Sequence, residues 1–133
     1  MILGERGESF CPSGPKRGVY VLPPRLSRLP VRVLPGELFL HEAVTARSRL
    51  LGLAALPPLA PAHGLWLPGT RSVHTAGMRF ALDLMWCDGR GRVVRVDPGV
   101  GPWRQRTCRG AASVIEVAAG AGGRWAASLR MDR

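Results

Sequence analysis

Short runs with apolar residues at alternate positions, each closed by glycine or proline, recur along this chain, and a period of two predicts strands. Val31–Leu34 is the first clear run and ends at the turn pair Pro35-Gly36. Glu37–Val44 is ambiguous, with a strand expected near Leu38–Leu40. Thr45 is placed to N-cap a short helix through Leu53, with Leu50, Leu51 and Leu53 as its apolar side. Pro57, Pro58 and Pro61 force a loop, after which Gly64–Leu67 reads as another short strand. Arg71–Thr75 alternates, with Val73 and Thr75 on one face and Ser72 and His74 on the other, until Gly77 breaks it. Arg79–Cys87 puts Phe80, Leu82, Leu84 and Trp86 on one face and Ala81, Asp83, Met85 and Cys87 on the other. A strand apolar on nearly both sides belongs at the centre of a fold.

Asp88-Gly89-Arg90-Gly91 is an Asp-Gly type of turn, and Arg92–Val96 returns antiparallel as the second arm of a hairpin. Pro98 to Gly110 reads as a long loop, Ser113–Val117 as a strand, Gly120–Gly123 as a turn and Trp125–Met131 as a final strand. The expected fold is therefore mainly β: an antiparallel, jelly-roll-like sandwich or barrel with one short helix. Residues 1–30 differ from the rest, because Pro12, Pro15, Pro23, Pro24 and Pro30 interrupt any hydrophobic period. They read as a Pro/Arg-rich, poorly ordered extension with one short edge-strand candidate, Val19–Leu22, leaving residues 31–133 as a single β domain.

Composition adds limits rather than detail. A chain of 133 residues fits one domain and buries a sizeable core without disulfides or metal. No run approaches the roughly 18 apolar residues a membrane helix needs. Glu5, Arg6 and Glu8 interrupt the stretch where a signal peptide would be apolar, so the cytoplasm is the expected compartment. The net charge of +10 suggests nucleic acid, but the basic residues other than Lys16 are all arginine and are scattered along the chain without interleaved aromatics. A solvated basic surface accounts for them, and clustering on one face is what a phosphate-binding surface would require. Cys11, Cys87 and Cys108 have no CxxC spacing, so neither zinc nor a disulfide framework is expected, and Cys87 fits a core position.

The run Arg71-Ser-Val-His-Thr-Ala-Gly-Met-Arg-Phe-Ala-Leu-Asp83 resembles a bacterial and archaeal family named domain of unknown function 192. The likeness extends to Ala43–Leu53 upstream and, downstream, to Asp88–Gly91, Pro102-Trp103-Arg104 and Ala111–Gly120, over roughly residues 31–131. The resemblance implies a compact, jelly-roll-like β fold and no established activity. Many relatives with this histidine motif carry a cysteine near the position of Gly69 or Thr70, and neither residue here is a thiol. Chemistry resting on a cysteine at that point is therefore not carried over.

Two carboxylates stand out because an isolated buried charge is costly and must be paired or neutralised. Asp83 lies among apolar neighbours, with Thr75, Arg71, Arg79 or loop N–H groups as its expected partners. Glu116 sits inside Val114–Val117, with Arg104 or Arg109 expected to pair with it. His74 precedes Asp83 by nine residues across a break at Gly77, and a histidine–carboxylate pair supports proton transfer or metal binding. His41, His63, His74, Asp83 and Glu116 show no metal-ligand spacing, so no metal or other cofactor is expected. No nucleophile elbow, phosphate loop or dinucleotide fingerprint is present, and Cys108, near Arg106 and Arg109, has no histidine beside it in sequence. Trp103 either stacks on a ligand ring or caps the core.

The leading expectation is a small non-enzymatic binding or accessory domain for an unidentified ligand or protein. Its site is the concave end formed by Thr70–Met78, the Pro102–Arg104 loop and Glu116, with His74, Thr75, Met78, Asp83, Trp103, Arg104 and Glu116 as candidate residues. Two alternatives stand beside it: a small hydrolase using His74 and Asp83 as an acid–base pair, and a weak nucleic-acid binder using the arginine surface.

Overall fold

A strand that is apolar on both faces needs a layer on each side, and that requirement organises the molecule. The computed structural model describes residues 20–45 and 52–132. Within them, α1 is a single turn at Pro24–Ser27, and eight strands follow: β1 Val31–Leu34, β2 Leu38–Glu42, β3 His63–Pro68, β4 Ser72–His74, β5 Leu82–Cys87, β6 Val93–Val100, β7 Gln105–Thr107 and β8 Ser113–Ala118. Helix α2, Gly122–Met131, closes the described chain.

Six strands form one sheet in the order β1-β2-β3-β8-β5-β6, and β4 pairs with β7 in a separate two-stranded ribbon. All residues of β5 are buried, as its two apolar faces require. Leu82, Leu84 and Trp86 pack toward α1 and the ribbon, with Leu26, Leu67, Val73 and Met78. Met85 and Cys87 pack on the opposite side with Ile115, Val117, Trp125 and Leu129 of β8 and α2. The mainly β fold is as expected, but the sheets are not closed into a barrel. Nor is the large sheet wholly antiparallel, since β2 and β3 run parallel with Phe39 opposite His63.

Trp125–Met131 is helix, not strand. Trp125, Ser128 and Leu129 are its buried residues, at the i, i+3, i+4 spacing of one helix face. Burying the indole stabilises the contact by about 1.5–3 kcal/mol, which a strand at the sheet edge would forgo. The ring lies so close to β3 that a Cβ on Gly64 would fall 2.9 Å from it, and its Nε1 donates to the Pro61 carbonyl at 2.9 Å.

The stretch from Pro98 to Gly110 is not one loop. Pro98–Val100 complete β6, and Gln105–Thr107 form β7 against β4. Thr75 also binds this stretch: its Oγ1 donates to the Gly101 carbonyl and accepts the Arg104 N–H, both at 2.7 Å. Of the N-terminal segment, Tyr20–Leu22 is not a strand, and Leu26 of α1 is fully buried against the ribbon side of the sheet. Residues 1–19, and residues 46–51 of the helix expected from Thr45, lie outside the described residues.

Candidate functional site

Strand alternation assigns the two buried carboxyls to opposite faces of the sheet. Asp83 on β5 pairs with Val117 and faces α2, whereas Glu116 on β8 pairs with Leu84 and faces the ribbon. Their environments differ accordingly.

Asp83 is saturated. Its Oδ1 accepts the Gly99 N–H at 2.8 Å, and its Oδ2 accepts those of Gly120 at 3.0 Å and Gly122 at 2.9 Å. Gly99 belongs to the irregularity in β6 opposite Asp83, where Leu82 pairs with Val100 but Leu84 with Asp97. Gly122 opens α2, whose N-cap residue Ala121 has no capping side chain, so the carboxylate of another strand takes that role. A Cβ on Gly122 would stand 2.8 Å from Oδ2, which explains glycine there. Asp83 therefore joins the β6 irregularity, the turn after β8 and the start of α2, and the backbone amides are the partners it takes from those expected. His74 is not among its partners, so the acid–base pair required by the hydrolase alternative does not form.

Glu116 is the reverse case. It is only 4% exposed, and its Oε1 is buried without a hydrogen-bond partner among the described residues. Arg104 and Arg109 do not pair with it, contrary to expectation. The Arg104 backbone is tied to Thr75 in the loop before β7, while Glu116 points from mid-strand into a cavity whose described lining includes no arginine. The nearby Arg25 of α1 donates from its Nη1 to the Gly52 and Ala54 carbonyls. Burial pushes its carboxyl up from 4.5 to about 7.

Glu116 forms part of the wall of an open cavity of about 330 Å³ on the ribbon side. Leu53, Leu67, Val73 and Met78 supply apolar wall, while Thr70, Ser72 and His74 supply polar groups. His74, Met78 and Glu116 are thus brought together as expected, and Ser72 of β4 and Thr70 from the segment before it join them. Thr70 is one of the two positions near which the resemblance suggested a cysteine, and no described residue of the lining is a thiol. The remaining candidates lie elsewhere. Thr75 is buried and committed to the Gly101–Arg104 loop, and Arg104 is exposed outside the cavity. Trp103 is 74% exposed at φ +61°, so it caps no core, and it is not part of the lining of this cavity. Cys108 is buried in the core rather than placed in an open loop, and Cys87 is core as expected.

One arrangement has no clear signal in the sequence. The parallel pairing of β2 and β3 brings His41 Nε2 within 2.9 Å of His63 Nδ1, with the rings stacked 5.2 Å apart and Phe39 and Tyr20 against His63. Burial, reinforced by His63, lowers the His41 pKa from 6.5 to about 4, and burial lowers that of His63 as well. No third histidine, cysteine or carboxylate joins them, and no group of three metal-ligating side chains occurs among the described residues. No described helix is long and apolar enough to cross a membrane.

The profile of the domain of unknown function 192 family, described as an uncharacterized ACR, matches residues 36–128. No curated protein matches the chain. Among solved structures, a proposed transcription regulator from Sinorhizobium meliloti 1021 is similar at 21% identity and a TM-score of 0.60, over 71% of this chain and 82% of that one. A protein of unknown function from Novosphingobium aromaticivorans is similar at 16% identity and a TM-score of 0.58, over 79% of this chain and 92% of that one. At these identities the likeness concerns the fold.

Proposed function

We propose that this chain, which belongs to the domain of unknown function 192 family, is a small non-enzymatic binding domain of the cytoplasm whose site is the Glu116 cavity. The observation that carries the reading is the buried Glu116 oxygen without a partner in a concavity otherwise walled largely by apolar side chains. A folded protein ordinarily satisfies such an atom, and a bound ligand is one way to do so. The polar groups of Thr70, Ser72 and His74 supply orientation. The other buried acid, Asp83, is fully occupied by backbone N–H groups, so the His74–Asp83 pair of the hydrolase alternative is not formed. Native mass spectrometry of the full chain, purified without a metal-affinity tag, tests the reading. A retained small molecule that disappears in Glu116→Gln supports it; a molecule retained equally by that variant contradicts it.

A second reading, binding of single-stranded nucleic acid, rests on the exposed Trp103. Arg104 follows it, and Arg95 reaches the same ribbon through a 2.8 Å bond to the Thr107 carbonyl. An exposed aromatic among arginines is a stacking platform beside phosphate-binding charge. Fluorescence anisotropy with a labelled oligonucleotide at low salt should then show binding that weakens in Trp103→Ala, and absence of binding under those conditions removes this reading.

A further inference from the structure

We propose that the cavity takes a small organic cation, an ammonium or guanidinium head on a short apolar stem, with the Glu116 carboxylate as its counter-ion. This rests on the reading of the cavity as a ligand site and adds the chemistry of the ligand. Three observations select that chemistry.

The first is the acid itself. Glu116 Oε1 is buried and unpartnered among the described residues, and residue 52 passes near it, since a Cβ on Gly52 would lie at an ordinary contact distance of 3.5 Å. A group that satisfies this carboxyl must bring N–H or O–H donors into the cavity. The second is the absence of opposing charge. The chain has a net charge of +10, yet none of the described lining residues is arginine or lysine. An anionic ligand would meet an acid with no cation among the described lining residues to receive it, the neighbouring Arg25 being bonded to the Gly52 and Ala54 carbonyls. A purely apolar one would leave the acid unsatisfied. A cationic head with N–H donors does neither, and a guanidinium also matches the two carboxylate oxygens in geometry. The third is size and wall. About 330 Å³ lies at the small end of ligand sites, and Leu53, Leu67, Val73 and Met78 suit a stem of a few carbons rather than a nucleotide or a folded peptide.

Proton release follows from the same pairing. In the empty cavity burial holds the carboxyl up to about 7, and a cation binds its ionised form. Affinity should therefore fall about tenfold per pH unit below that value and level off above it. His74 is the other titratable side chain among the described lining residues, so His74→Gln must leave the position of this bend unchanged.

The test uses the full chain with n-butylguanidinium and n-butylammonium as probes, and butyrate, n-butanol and tetramethylammonium as controls. Calorimetry measures Kd across the pH range, and amide NMR reports whether the lining residues respond. The expected result is binding of both N–H cations, release of a proton near neutral pH, and at least about tenfold weaker binding with loss of the pH slope in Glu116→Gln. Cation binding unchanged in Glu116→Gln overturns the proposal. So does a response of the lining amides to butyrate or butanol alone, which leaves the cavity a ligand site but not a cation site. If no probe of any charge perturbs those amides, the cation proposal and the ligand-site reading fall together.

Discussion

Replacing Glu116 by glutamine should make the protein more stable at neutral and alkaline pH and change little in acid. The folded carboxyl has its pKa raised to about 7 from an ordinary 4.5 because ionising it in an apolar wall is costly. In the unfolded chain the same group ionises near its ordinary value. Between the two values the native state binds the proton and the unfolded state does not, so stability falls as pH rises and flattens above the folded pKa. The interval of about 2.5 units, at 1.36 kcal/mol per unit, amounts to roughly 3 kcal/mol. Glutamine has nearly the same shape and no charge to bury, so the variant lacks this loss. Urea unfolding of both proteins at about pH 5 and about pH 8.5 isolates the effect as a difference of differences, in which every other titrating group cancels. The variant should gain up to about 3 kcal/mol at the higher pH and less than about 1 kcal/mol at the lower. An equal stability difference at both pH values would refute the reasoning, because it would mean that Glu116 titrates alike in the folded and unfolded chains.

Asp83→Ala strands three backbone N–H groups and should cost about 3–5 kcal/mol, read as a fall in the urea midpoint; an unchanged midpoint would remove its structural role. His41 acts with the opposite sign to Glu116. Its folded pKa is lowered to about 4 from 6.5, so its contribution is fully present above 6.5 and is lost as pH falls through the folded value. Glu116 acts the other way over the same range, so the effect is read as a difference. As pH falls from about 7 to about 4, thermal unfolding should show His41→Gln gaining stability relative to the parent protein, and a constant difference would remove the His41 effect. Trp103→Ala removes an exposed side chain and should change stability by less than about 0.5 kcal/mol in the same denaturation assay, because the ring touches no core.

Elements whose local pattern matched their tertiary setting were readable in advance. Val31–Leu34 was, because a proline–glycine turn ends it. The central place of β5 followed from its two apolar faces, and the Asp88 turn from its own chemistry, since Asp88 Oδ1 accepts the Arg90 and Arg92 N–H groups at 2.9 Å. What long-range contacts decided was not readable. Trp125–Met131 suits either period over seven residues, and only the packing of Trp125 onto Gly64 selects helix. The ribbon of β4 and β7 depends on Thr75 binding a loop some thirty residues away. For the site, alternation placed His74 on an identifiable strand face and Glu116 inside a strand. It could not tell that Asp83 and Glu116 would point to opposite layers, because that depends on how β5 and β8 pair. The arginine assigned to Glu116 was an inference from chemistry, and none of the described arginines pairs with it.

The central claim is that Glu116 is an uncompensated buried acid facing a ligand cavity. Carboxyl-resolved NMR titration of the ligand-free protein tests it most directly, by following the Glu116 side-chain carbon as pH rises. The account predicts a midpoint of about 7. A midpoint at the ordinary 4.5 would show the group solvated or already paired, and would contradict both the cavity's role and the cation assigned to it.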